Sequence, residues 1–191
     1  MNTLLAQIRS CSVCAQHLPF GAHPVVRASA LSKIVIVGQA PGRIVHHTGI
    51  PWNDRSGDTL RSWLGIDKSL FYDTNLFALM PMGFCYPGTG TSGDLPPRPE
   101  CAPLWHEQLL ACMPHVSLML LVGHYAHAYY LRKTKKKTLA DTVRHFHDYL
   151  PRFAVLPHPS PRNTLWLRKN DWFERDIISE LRLLVQSRLD L

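Results

Sequence analysis

The run KIVIVGQAPG, residues 33–42, decides the fold. Ile34 to Val37 are four consecutive β-branched residues, apolar throughout and without alternation. That is the pattern of a strand covered on both faces. Gly38, Pro41 and Gly42 then force a tight turn whose backbone can approach a ligand closely. The turn is neither a dinucleotide fingerprint, which needs G-x-G-x-x-G, nor a P-loop, which needs G-K-[ST].

Three more runs read the same way: TNLFALM (74–80), VSLMLLVG (116–123) and FAVLP (153–157). Helical spacing lies between and after them, over 57–65, 103–113, 124–133, 138–150 and 171–189. Alternating strands and helices predict one parallel sheet with helices on both faces, built from 1–191 as a single domain. In such sheets, sites form beyond the carboxyl ends of the strands. Four loops therefore converge there: Gln39–Gly42, Pro81–Pro99, Gly123–His124 and His158–Pro161.

The composition narrows the partners. Lys and Arg number 21 against 14 Asp and Glu, a net charge of +7, which suits a polyanion such as nucleic acid. Apolar residues make up 46% of the chain, too many for a disordered one. No run is long enough to span a membrane and the N-terminus does not read as a signal peptide, so a cytoplasmic monomer is expected. In that setting five cysteines argue against a disulfide framework and for a metal site or burial. The basic run Arg132–Lys137 reads as a solvated loop.

Individual residues add chemistry. His158 stands between Pro157 and Pro159 at the end of the last apolar run, where a restricted backbone would hold an imidazole firmly. Trp52, in GIPW, offers a ring to a flat ligand, and Asn75 offers a paired donor and acceptor to a base. His124 and His127 have metal-compatible spacing but no evident third ligand.

Taken together, GQAPG (38–42), GIPW (49–52), YDTN (72–75) and HPSP (158–161) resemble the motifs of the uracil-DNA glycosylase superfamily, in the right order. The Ala-Pro-Gly form is closest to the iron–sulfur branch. The resemblance implies a three-layer α/β/α sandwich with a short central four-stranded parallel sheet. It implies a base-excision repair enzyme that flips uracil, or a related deaminated base, out of DNA and cuts its N-glycosidic bond. His158, Asn75 and Gln39 would be catalytic. Gly38, Gln39, Ala40, Trp52, Asn75 and His158 would hold the base, with Trp52 stacked on it. Ser160, Arg162, Asn163 and Lys169 would meet the DNA. The chain departs from the pattern at Ala40, where the best-known branch carries an aspartate, and at Gln39, where the iron–sulfur branch carries an acid. A same-fold binding protein without hydrolysis, or a glycosylase for another base, are the alternatives.

Cys11-x-x-Cys14 and Cys85-x15-Cys101 form two pairs. The same branch holds a [4Fe–4S] cluster on four cysteines, and four thiolates equally suit structural zinc. Cys112 is read as a core thiol. The Gly- and Pro-rich stretch between Cys85 and Cys101 is read as a loop facing DNA.

Overall fold

The computed structural model describes residues 1–190. Its centre is a four-stranded sheet of β1 (Ile34–Val37), β2 (Phe77–Leu79), β5 (Leu118–Val122) and β6 (Phe153–Leu156). The order is β2-β1-β5-β6 and every pairing is parallel. Ile34 lies opposite Phe77 on one side and Leu118 on the other, and Leu121 lies opposite Val155. All residues of β1, β2 and β5 are buried, which requires cover on both faces. A second, two-stranded antiparallel ribbon joins β3 (Thr89–Gly90) to β4 (Gly93–Asp94).

Helices flank the sheet as expected from the alternation. They are α1 (Asn2–Arg9), α2 (Arg43–Thr48), α3 (Arg55–Leu64), α4 (Lys68–Tyr72), α5 (Cys101–Ala111), α6 (His124–Leu131), α7 (Leu139–Arg144), α8 (Thr164–Lys169) and α9 (Ile178–Leu189). Helix α3 lays Leu60, Trp63 and Leu64 into the core at the spacing of one helical face. Trp63 meets Phe173 edge to face, 4.9 Å between centroids. Helix α5 is tied to the sheet by His106, whose Nε2 lies 3.0 Å from the Pro81 carbonyl and whose Nδ1 lies 2.7 Å from the Tyr130 hydroxyl.

The differences from the sequence reading are local. The helix expected over 138–150 stops at Arg144 and ends in a 3₁₀ turn, Phe146–Tyr149. The last helix is wound as a π-turn over Phe173–Ile177 before α9 begins. The stretch after Cys85, read as a loop facing DNA, contains the β3–β4 ribbon.

Candidate active site

At the carboxyl edge of the sheet, the loops after β1 and β6 and the β3–β4 ribbon enclose a cleft of about 460 Å³. Gly38, Gln39, Ala40, Pro41 and Gly42 form its floor. This loop is fixed by continuing the β1–β2 pairing: Met82 N–H donates to Gly38 O (2.9 Å) and Gly83 N–H to Gln39 O (3.0 Å). The Gln39 amide donates from Nε2 to the Leu95 carbonyl at 3.4 Å.

Trp52 forms one wall. Its backbone is left-handed, φ 57°, which a bulky residue adopts only when its surroundings demand it. Three features make that demand. Arg61 Nη1 donates to the Trp52 carbonyl (3.3 Å), and the Tyr72 hydroxyl donates to the Pro51 carbonyl (3.0 Å). Arg61 itself is buried and paired with Asp58. Gly57 lets the same carbonyl settle on the first turn of α3, since a Cβ there would lie 1.8 Å from it. Gly38 similarly leaves room for the indole, whose Cζ2 would be 2.6 Å from an added Cβ.

This geometry makes Gly57→Ala a sharp test. In an ordinary helix, alanine for glycine is worth about 1 kcal/mol of stabilisation. Here the methyl meets backbone, so the variant should lose ~1–3 kcal/mol in urea unfolding, the range of overpacked cores. A more stable variant would show that Trp52 is not held in this way.

His158 forms the adjoining wall. Its carbonyl accepts Asn163 Nδ2 at 2.8 Å. Gly123, at φ 86°, passes close enough that a Cβ there would lie 3.3 Å from the His158 Cβ. Burial lowers the His158 pKa below the usual histidine value, and the negative charge of Asp54 only partly opposes this. The imidazole is therefore neutral near pH 7. Its ring lies 5.7 Å from that of Trp52, inclined by 29°, a direct aromatic contact. No base fits between the two rings, so a flat ligand meets Trp52 only from its open face.

The sequence reading placed Asn75 in this site, and the structure corrects it. Asn75 is exposed in the turn before β2, at the amino edge of the sheet, and its Oδ1 accepts the Ser29 hydroxyl at 3.2 Å. Lys169 likewise lies outside the cleft, exposed at the end of α8, whereas Ser160, Arg162 and Asn163 line it. His127 is a core residue: its Nε2 sits 2.9 Å from the Leu121 carbonyl, and burial lowers its pKa to about 4.

Two carboxylates also face the cleft. Asp54 caps α3, its Oδ1 accepting Gly57 N–H at 2.9 Å. Asp94 comes from the ribbon and was missed by sequence reasoning. The available signal was the glycine-flanked turn in GTSGD, a short hairpin pattern that places an acid on the ribbon.

Cys11, Cys14, Cys85 and Cys101 line a second cavity of about 20 Å³, walled by Leu18, Phe84, Leu104 and Trp105. Burial pushes the Cys85 thiol up to about 11 and the Cys101 thiol to about 12. Cys101 Sγ accepts Phe84 N–H at 3.3 Å, and Cys14 Sγ lies 3.7 Å from Glu100 Oε2. Among the described residues, no three His, Cys, Asp or Glu side chains stand close enough together, as set, to hold an ion. Cys112 is only partly buried, just after α5. No described helix is long and apolar enough to cross a membrane.

The family model described as the Uracil DNA glycosylase superfamily matches residues 27–182, from the segment before β1 into α9.

Proposed function

The chain belongs to the uracil DNA glycosylase superfamily, and from that premise we propose that it excises uracil, or a related deaminated base, from DNA by hydrolysing the N-glycosidic bond. Membership points to DNA as substrate and to a glycosylase as the class of enzyme. The observation that carries the finer reading is the cleft itself, where a glycine-rich floor and a neutral, rigidly held imidazole face each other at the carboxyl edge of the sheet.

The chemistry follows from these parts. A base within a duplex is out of reach, so it must swing out into the cleft. Gly38 to Gly42 let its ring lie close to backbone, and the open face of Trp52 stacks on it. With Asn75 at the other edge, the amide in the floor loop is Gln39, whose Oε1 is left to accept from the base while Nε2 serves Leu95. Bond cleavage moves negative charge onto the base and positive charge onto the sugar. The neutral His158 donates a hydrogen bond to the base as that charge grows, a fixed donor that needs no reorganisation. Ser160 and Arg162 at the rim meet phosphates, and Arg168 and Lys169 extend the basic surface along α8.

The test is release of free base from oligonucleotides, single- and double-stranded, carrying uracil, hypoxanthine or xanthine, against unmodified DNA. Uracil release above the control supports the reading. Binding without release of any base would leave the alternative, a protein that holds the base without cutting it.

We also propose a four-thiolate centre on Cys11, Cys14, Cys85 and Cys101, a [4Fe–4S] cluster or, second, structural zinc. Its support is that two segments far apart in sequence bring four thiols into one small apolar cavity, a donor set both centres accept. Such a centre would tie the segment after α1 to the start of α5. Its binding would displace the thiol protons that burial retains. Protein purified without air should carry metal, brown with broad visible absorption for the cluster and colourless for zinc. Serine at any one of the four should release it, and Cys112→Ser should not. Metal-free wild type with full stability would end the proposal.

A further inference from the structure

We propose that Asp94, carried into the cleft by the β3–β4 ribbon, is the catalytic carboxylate that orients and deprotonates the hydrolytic water. This rests on the glycosylase reading above and fills a gap in it. The loop Gln39-Ala40-Pro41-Gly42 contains no carboxylate, so the group that handles water must come from elsewhere in the cleft wall.

Only Asp54 and Asp94 supply carboxylates among the cleft-lining residues. Asp54 is committed, because one of its oxygens caps the first turn of α3 through Gly57 N–H. Asp94 is not. Its Oδ2 stands 3.4 Å from where a Cβ on Gly42 would lie, so the carboxylate sits directly over the floor loop.

The residues around Asp94 are tethered from both sides of the cleft. The next residue, Leu95, gives its carbonyl to Gln39 Nε2 at 3.4 Å and its N–H to Gly88 O at 2.8 Å. Two residues before it, the Ser92 carbonyl accepts Arg162 Nη1 at 2.9 Å. Gly93, at φ 133°, permits this, since a Cβ there would lie 1.8 Å from Nη1. The floor loop and the His158 loop thus each grip the ribbon next to Asp94, and such support on both flanks holds a reacting group in place. Arg162 directs that nitrogen to the Ser92 carbonyl, and Asp94 forms no salt bridge among the described residues. A purely structural ion pair is therefore not its role.

The electrostatics agree. Asp94 stays exposed to solvent at the cleft mouth, and its partial desolvation there is the first cause that raises its pKa. Of the groups facing it, Arg162 and the Tyr86 hydroxyl pull it back down, and Asp54 adds to the rise. A carboxylate made more basic in this way is a better proton acceptor.

The step balances as a hydrolysis. The N1–C1′ bond breaks and its electron pair leaves on the base, whose oxygen accepts a hydrogen bond from His158. The water oxygen forms the new bond to C1′, and its proton passes to Asp94. That proton then leaves to solvent, and the base anion takes one up.

The test compares wild type, Asp94→Asn and Asp94→Glu in single-turnover release of the base that wild type excises, with affinity for unmodified DNA measured alongside. Asp94→Asn should slow release ~100-fold or more, the usual scale for a lost general base, with DNA affinity unchanged or slightly tighter. The wild-type rate should rise with pH through one ionisation, and Asp94→Asn should flatten that rise. Asp94→Glu keeps the carboxylate and should recover part of the rate together with the pH dependence. A near-normal rate in Asp94→Asn overturns the inference. So does a slow variant that keeps the wild-type pH profile, because a merely structural loss would leave the ionisation in place. Wild type that releases no base from any substrate overturns the glycosylase reading itself, an outcome distinct from either of these.

Discussion

Replacing His158 with alanine should slow base release by ~10²–10³-fold, the loss seen when one donor to a developing anion is removed. Affinity for DNA should stay within about threefold, because the bond strengthens only as charge moves onto the base. The structure gives the reasons for expecting so large an effect. The donor is neutral, since burial lowers its pKa against the pull of Asp54, so it neither fixes a charge in the empty cleft nor has to shed a proton before acting. It is also fixed: Asn163 holds its carbonyl, Gly123 lies against its Cβ and Trp52 against its ring. His158→Gln keeps a donor but loses the ring that packs on Trp52, and should recover a small part of the rate. If alanine weakened DNA binding as much as turnover, His158 would be a binding residue and the role assigned here would fall.

The sheet was legible because its strands are continuous apolar runs, and a strand buried on both faces has no other way to be written. The ends of those runs were less legible. The stretch 74–80 looks like one strand from its composition, yet pairing begins only at Phe77. Asn75 is left in a turn, where its N–H donates to the Asp73 carboxylate at 2.8 Å. Even in a strand over 74–80 that amide would stand at the amino end, the edge opposite the site, and the later start at Phe77 leaves it in the turn. His158 and Gly38–Gly42 were legible because they follow strand ends, which fixes the edge they occupy. Asp94 was not, because a ribbon with two residues per strand has no periodicity. Its position depends on Gln39 and Arg162, which are far away in sequence. The cysteine pairs were legible as pairs, and their meeting in one cavity is a property of the tertiary structure.

Acid should unfold this protein well before its carboxylates are all protonated. His106 and His127 are each 1% exposed, and burial lowers both to a pKa of about 4. In the unfolded chain each returns to the ordinary histidine value of 6.5. The sign follows directly. Above pH 6.5 both residues are neutral in either state and their contribution is complete. As the pH falls from 6.5 towards 4, the unfolded chain binds two protons that the folded chain refuses, so stability falls. Each residue accounts for about 3 kcal/mol over that window, and the two together for about 6 kcal/mol, comparable to the whole stability of many domains. Mid-window these two alone should contribute a slope of about 2.7 kcal/mol per pH unit, the value for two protons, and His158 and His46, also lowered by burial, add to it in the same direction. His106 cannot simply accept its proton in place, because Nε2 already faces the Pro81 carbonyl and Nδ1 accepts from Tyr130, whose own pKa burial raises. Pro81 lines the cleft, so acid should loosen the site as well as the core. Urea unfolding at steps between pH 7.5 and 4.5 measures the slope, and His127→Gln should remove one proton from it. A slope near zero across that range would mean that both histidines charge freely in the folded protein, and the packing of α5 and α6 described here would be wrong.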